Sequence, residues 1–286
     1  MTDLPAGLST LRDRYDVLLC DVWGVIHNGR ESWPAACAAL ARWRAEVGPV
    51  VLISNSPRPA SAVIAQLDGL GVPREAWSAF VTSGDATRVL LSERAPGPAW
   101  KIGPDRDWPL YEGLNVAFSP VEEAAFVTVT GPDDDEVETP EDYRARLKVA
   151  AARGLPMICA NPDRVVQRGD KLIYCGGSLA DLYESLGGEV LMAGKPFTPI
   201  YELSLAEGEA LLGRTLDRSR VLCIGDGVVT DVKGAADHGL DCLFIAQGIH
   251  GVKALGDDGK LHPDKVAGLL AEEGVTAAYA MADLVW

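Results

Sequence analysis

Basic charge is scarce in this sequence of 286 residues: 26 Lys and Arg stand against 41 Asp and Glu, a formal charge of −15. A surface of that sign repels a phosphate backbone, so no nucleic-acid partner is expected. A local basic pocket for a small phosphorylated ligand is compatible with it. No apolar run approaches the ~20 residues that cross a bilayer, and no membrane association is expected. Met1-Thr2-Asp3-Leu4-Pro5 has no basic region followed by an apolar one. No signal peptide is therefore expected, and the reading is cytoplasmic. CxxC spacing is absent among the six cysteines (20, 37, 159, 175, 223 and 242), which argues against a zinc site or disulfide framework. Cys20, Cys159 and Cys223 lie in apolar runs, as small buried hydrophobes do. Internal repeats and low-complexity tracts are also missing.

What is present is the composition of a folded protein, 48% hydrophobic and 23% charged, with length enough for two domains. Short apolar runs alternate with helix-length amphipathic stretches, the pattern of a parallel sheet wrapped by helices. Residues 15–20, 50–54, 79–82, 221–224 and 242–245 read as strands, without the alternation of a half-exposed sheet. Residues 34–46, 58–70, 85–94, 198–212, 230–238 and 264–273 read as helices, with Pro34, Pro199 and Pro263 near their starts. The middle differs. It opens on a Pro/Gly-rich stretch from Ala95, includes the acidic run Asp133-Asp134-Asp135-Glu136, and has its own helix (140–153) and strands (157–160, 171–174). The fold class expected is α/β: a Rossmann-like parallel-sheet core from residues 1–90 and 191–286, with 91–190 inserted as an α/β cap domain. The acidic run is expected to be a solvated loop rather than a metal site.

Four motifs sit where chemistry is expected. Leu18-Leu19-Cys20-Asp21-Val22-Trp23-Gly24 is an apolar strand ending in a carboxylate, then a glycine-containing turn. Ligands of open α/β sheets bind at the carboxyl ends of strands, which is where Asp21 falls. Val51-Leu52-Ile53-Ser54-Asn55-Ser56 ends in hydroxyl and amide side chains before a helix, a phosphate cradle or an ordinary N-cap. Ala193-Gly194-Lys195-Pro196 can deliver a point charge to a phosphate, or be a surface turn. Cys223-Ile224-Gly225-Asp226, with Thr230-Asp231 at the next helix start, supplies two hard oxygen ligands of the kind magnesium prefers.

In this order the motifs resemble the haloacid dehalogenase (HAD) superfamily, most closely its cap-inserted class IIA phosphatases. Thr82-Ser83-Gly84 and, in the insertion, Asn161-Pro162-Asp163 extend the resemblance nearly end to end. The resemblance implies that Asp21 is a nucleophile forming a phospho-aspartyl intermediate, with Ser54 and Lys195 holding the phosphoryl group. It implies one Mg²⁺ held by Asp21, Asp226 and the carbonyl of Trp23, with Asp231 in support or as a direct ligand. Asn55, Ser56, Asn161 and Asp163 are the expected substrate-binding residues, Asn161 and Asp163 from a cap loop. A second cap loop, Cys175-Gly176-Gly177-Ser178, is a further candidate, although glycine pairs also mark turns.

One position departs from the family. Two residues after the nucleophile these phosphatases carry a second Asp, the general acid, and this chain has Trp23. A positioned acid contributes about 10²–10⁴-fold. His27, which as a lone histidine would more often be a solvated surface residue, or Asp163 could replace it. Otherwise the substrate would carry a leaving group that needs no proton. The function expected is Mg²⁺-dependent hydrolysis of a small phosphorylated metabolite. The alternatives are a catalytically weak phosphometabolite-binding or regulatory protein and a non-phosphatase HAD hydrolase. The oligomeric state is left open, a homodimer among the options.

Overall fold

A computed structural model describes residues 2–168, 171–247, 254–256 and 260–286. The chain divides into two compact units, one of Met1–Ser54, Ile64–Val81 and Tyr201–Trp286, the other of Asn55–Val63 and Thr82–Ile200.

The first unit is built on a six-stranded sheet. Its strands are β1 (Val17–Asp21), β2 (Val50–Ser54), β3 (Ala79–Thr82), β10 (Val221–Gly225), β11 (Asp241–Ile245) and β12 (Tyr279–Met281), in the order β12-β11-β10-β1-β2-β3. The pairs from β12 through to β2 are all parallel. β1 and β10 are buried at every position, which is why their sequences are unbroken apolar runs. The chain builds outward from β1 to β3, then returns to the other side of β1 and builds outward again from β10 to β12. The order therefore reverses between β1 and β10, the position at which such sheets bind ligands. Helix α1 (Pro34–Glu46) places Ala36, Ala39, Leu40 and Trp43 in the core, with Pro34 in its first turn.

The second unit has a four-stranded parallel sheet of β4 (Ala99–Ile102), β5 (Phe126–Val129), β6 (Met157–Cys159) and β9 (Val190–Met192), in that order. Val127, Val129, Met157 and Cys159 pack on one face with Tyr143, Leu147, Leu179 and Tyr183, residues of the segment 140–152 and of a helix over Gly176–Ser185. Phe126 and Ile158 pack on the other with Leu91, Leu110 and Tyr111. β7 (Val165–Arg168) and β8 (Lys171–Tyr174) form a separate antiparallel pair. Three neighbouring strands run into the same kind of ending: Gly103-Pro104-Asp105, Gly131-Pro132-Asp133 and Asn161-Pro162-Asp163. A proline donates no ladder hydrogen bond, so each strand stops there.

Several sequence expectations need correction. The segments 55–63, 82–90 and 191–200 fall in the second unit, outside the 91–190 expected for the insertion. Hydrogen bonds explain the grouping: the Asp85 carboxylate accepts from Ala60 N–H at 3.1 Å, Gly84 N–H donates to Ser56 O at 3.0 Å, and Lys195 N–H donates to Asn55 Oδ1 at 2.7 Å. The acidic run is not merely solvated. Asp133 accepts from Gly103 N–H at 2.8 Å, buried Asp135 pairs with Arg106, and Glu136 pairs with Lys171 at 2.9 Å. The helix expected over 140–153 starts as a 3₁₀ turn at Pro140–Tyr143, capped by Thr139 and Asp142, and is α-helical over Arg144–Ala152. The one expected over 230–238 starts earlier as a wide π turn at Val228–Val232, then runs on as Lys233–Asp237.

Candidate functional site

Within the first unit the switch between β1 and β10 gathers three carboxylates. Asp21 is the last residue of β1, Asp226 follows the last residue of β10, and Asp231 stands in the π turn after it. Their oxygens lie within 4.8 Å of one another, on side chains that are 7%, 1% and 3% exposed. Three carboxylates packed this closely away from water repel one another when charged. A hard divalent cation offsets that repulsion, and an all-oxygen donor set is what Mg²⁺ takes.

The backbone around the cluster is specialised to let the carboxylates approach. Gly24 has φ +83°, and a Cβ added there would fall 2.1 Å from Asp226 Oδ2. At Gly225 an added Cβ would meet Asp231 Cγ at 2.2 Å. Asp231 is aimed by its own turn, its Oδ2 accepting from Gly227 N–H at 3.0 Å and from Thr230 Oγ1 at 3.3 Å. Tyr201 hydrogen-bonds to that turn. Its hydroxyl donates to the carbonyls of Thr230 and Asp231 at 3.4 and 3.5 Å, and its ring stacks on His238 with centroids 4.4 Å apart. Burial holds the phenol well above its ordinary pKa, so it remains a donor. The sequence showed Gly24 in the turn after β1 and Gly225 before Asp226, but not that both make room for a neighbouring carboxylate, and Tyr201 carried no local signal.

Gly24→Ala is accordingly expected to cost about 2–4 kcal/mol, from left-handed backbone strain plus the clash at Asp226. Thermal unfolding measures the loss. Unchanged stability would mean that the turn is not seated on Asp226.

Trp23 is half-buried, in the turn between Asp21 and Gly24. His27 lies in the same turn but is buried, against the expectation of a solvated histidine. Its Nδ1 accepts from Gly29 N–H at 2.9 Å, which fixes the proton on Nε2, and burial lowers its pKa to about 4. A neutral imidazole with that tautomer is a poor proton donor near neutral pH. Ser54 ends β2 beside β1, one residue beyond the Asp21–Ile53 register pair.

The remaining expected residues belong to the second unit. Asn55, Asp163 and Lys195 are joined by hydrogen bonds, and Asn161 Oδ1 accepts from Asp163 N–H at 3.1 Å. Ser56 Oγ accepts from Arg58 N–H at 3.4 Å, as a turn residue does. Gly176 and Gly177, expected in a loop or turn, open a helix. A Cβ at Gly177 would fall 2.1 Å from Pro162 O, so glycine there permits close packing against the Asn161–Asp163 segment.

Comparison with known proteins gives the same family from several directions. The haloacid dehalogenase-like hydrolase family model matches residues 18–117, and a HAD-hydrolase-like model matches 192–272. A crystal structure of a hydrolase of the haloacid dehalogenase-like family from Brucella suis 1330 is 48% identical, covers 99% of this chain and 100% of its own, and superposes with a TM-score of 0.87. A D-glycerol 3-phosphate phosphatase of Mycobacterium tuberculosis is 25% identical over 247 residues, which is 85% of this chain and 66% of that protein. The ribonucleotide monophosphatase NagD of Escherichia coli is 26% identical over 241 residues, 81% of this chain and 88% of its own.

Proposed function

The chain belongs to the haloacid dehalogenase-like hydrolase family, and on that premise we propose that it is a Mg²⁺-dependent phosphatase of a small phosphorylated metabolite, working through Asp21. The observation that carries the reading is the trio of buried carboxylates at the sheet's switch point, with Asp21 at the end of the central strand. Two relatives named for phosphomonoesters, of glycerol and of ribonucleotides, support the substrate class.

In this reading Asp21, Asp226, Asp231 and the carbonyl of Trp23 would hold Mg²⁺, which would offset the repulsion between the Asp21 carboxylate and an anionic phosphate. An oxygen of Asp21 forms a bond to phosphorus as the bond to the leaving oxygen breaks. Water then attacks the phospho-aspartate, releasing inorganic phosphate and restoring the carboxylate. Charge spreads over the three equatorial phosphoryl oxygens in transfer, so fixed donors contribute most. Ser54 supplies a hydroxyl and Lys195 a positive charge. Six buried cysteines suit a reducing, cytoplasmic setting.

A second reading is a phosphometabolite-binding or regulatory protein with little turnover, and Trp23 favours it, because an indole cannot serve as the acid. A panel of aryl, acyl and alkyl phosphates assayed with Mg²⁺ and with EDTA separates the two. The phosphatase reading expects turnover of the activated esters that falls to background in EDTA. It also expects Mg²⁺ at about 100 times its Kd to stabilise the protein by about 2.7 kcal/mol. Tight phosphate binding without any turnover would select the binder.

A further inference from the structure

In the second unit, one side-chain amide has its donors used up by its neighbours. Asn55 Oδ1 accepts from Lys195 N–H at 2.7 Å, while Asn55 Nδ2 donates to the carbonyl of the same Lys195 at 3.2 Å and to Asp163 Oδ1 at 2.9 Å. A peptide N–H only donates and a peptide carbonyl only accepts, so the amide can face only one way. A side-chain amide has two N–H donors, and both of these are placed. A phosphoryl oxygen accepts and does not donate, so the Asn55 side-chain amide has nothing left to offer it. The sequence suggested Asn55 and Asp163 as substrate-binding residues, and the hydrogen bonds suit a different role for their side chains.

We propose that Asn55 is a positioning residue whose side chain grips the Lys195 peptide on both sides and acts on the phosphate only through Lys195, with Asp163 holding the Asn55 amide in place. The surroundings leave the grip little play. Asn55 is 7% exposed and Lys195 2%. A Cβ at Gly194 would fall 2.6 Å from Asn55 Oδ1, 2.7 Å from Ser83 Oγ and 2.8 Å from Pro162 Cδ, so only glycine lets the chain come this close. Asp163 is itself oriented through its N–H on Asn161 Oδ1. No other small side chain reproduces the pattern: Asp lacks both donors and would face the Asp163 carboxylate, and Ser has a single donor.

The proposal rests on the phosphatase reading, and its test separates the two. Vanadate affinity and kcat/KM are measured in wild type, Lys195→Ala, Asn55→Ala and the double variant. Asn55→Ala is expected to weaken vanadate binding about tenfold alone and less than about twofold when Lys195 is already Ala, because the two act as one unit. Asp163→Ala, a second variant with both partners of the grip intact, should lose about threefold and likewise nothing further in the Lys195→Ala background. Equal losses in both backgrounds would mean direct contact with the anion and would overturn the proposal. Amide hydrogen exchange in the ligand-free protein supplies a readout that needs no substrate. Lys195 N–H should exchange at least about tenfold faster in Asn55→Ala, and unchanged exchange would also overturn the proposal. Faster exchange in a protein whose wild type neither binds vanadate nor hydrolyses any ester would instead overturn the phosphatase reading, and the positioning role with it.

Discussion

Asp21→Asn is expected to reduce hydrolysis of an activated aryl phosphate by at least ~10⁴-fold, about 5.5 kcal/mol of barrier, while leaving the fold intact or firmer. The two halves of this expectation have one origin. Asp21 ends a fully buried strand and is itself 7% exposed, beside two other buried carboxylates within 4.8 Å. Asn has nearly the same shape, so no cavity opens and the sheet register is kept. An amide nitrogen in place of a carboxylate oxygen is a far poorer nucleophile, and on the proposed function one anionic ligand of the metal would be lost as well. The same change removes one of three mutually repelling charges. In EDTA the variant should therefore unfold at or above the wild-type temperature, by up to ~1 kcal/mol, the usual opposition between activity and stability at a charged site. With saturating Mg²⁺ the order should reverse, because wild type gains more from the ion. Steady-state turnover and thermal scans with and without Mg²⁺ measure all of this. Residual activity near wild type would place the nucleophile elsewhere, and a large loss of stability in EDTA would mean that the cluster is held together by something other than a cation.

How far the sequence disclosed this site depends on whether a signal was local. Asp21, Ser54 and Asp226 were legible because each closes an unbroken apolar run, and such a run covered on both faces can hardly be anything but a central parallel strand. The short strands over 99–102, 126–129 and 190–192 were not legible. Each is three or four residues long, and the first lies inside a Pro/Gly-rich stretch that reads as loop. The helix over Gly176–Ser185 was hidden by its opening glycines, which pack against a carbonyl rather than turn the chain. Asn55 was legible as polar and at a strand end, but its partner Lys195 is 140 residues away. No window of sequence shows that an amide is saturated by a peptide so distant. Polar residues at strand ends can thus be found from sequence, while their division into those that touch substrate and those that hold others in place needs the hydrogen-bond network.

The departure at Trp23 has the clearest chemical consequence. If the chain hydrolyses phosphomonoesters without an acid at this position, its rate should depend steeply on the pKa of the leaving group. Aryl and acyl phosphates depart as stabilised anions, whereas a sugar alkoxide needs a proton in the transition state. A positioned acid contributes about 10²–10⁴-fold, so alkyl phosphates should lag activated ones by at least ~10²-fold in kcat/KM beyond the ordinary chemical difference. The nearest alternative in the turn does not repair this, since His27 is buried, neutral near pH 7 and carries its proton on Nε2. Trp23→Asp should then raise alkyl phosphate hydrolysis by about 10²-fold, change aryl phosphate hydrolysis far less, and flatten the dependence. The substitution is structurally tolerable in one respect, because metal coordination at this position would use the main-chain carbonyl, which any residue supplies. It is costly in another: Trp23 is half-buried, and an added Cβ at Gly29 would stand 3.5 Å from its Nε1, so the indole fills space in the turn. Losing it should cost about 1–3 kcal/mol, less than a fully buried tryptophan. Rates are therefore compared below the variant's own unfolding transition, with Trp23→Asn as the control that empties the space without supplying an acid. Equal acceleration by Asn and Asp would mean that the indole obstructs the site rather than that an acid is missing. A wild type already fast on alkyl phosphates would mean that a group outside this turn donates the proton.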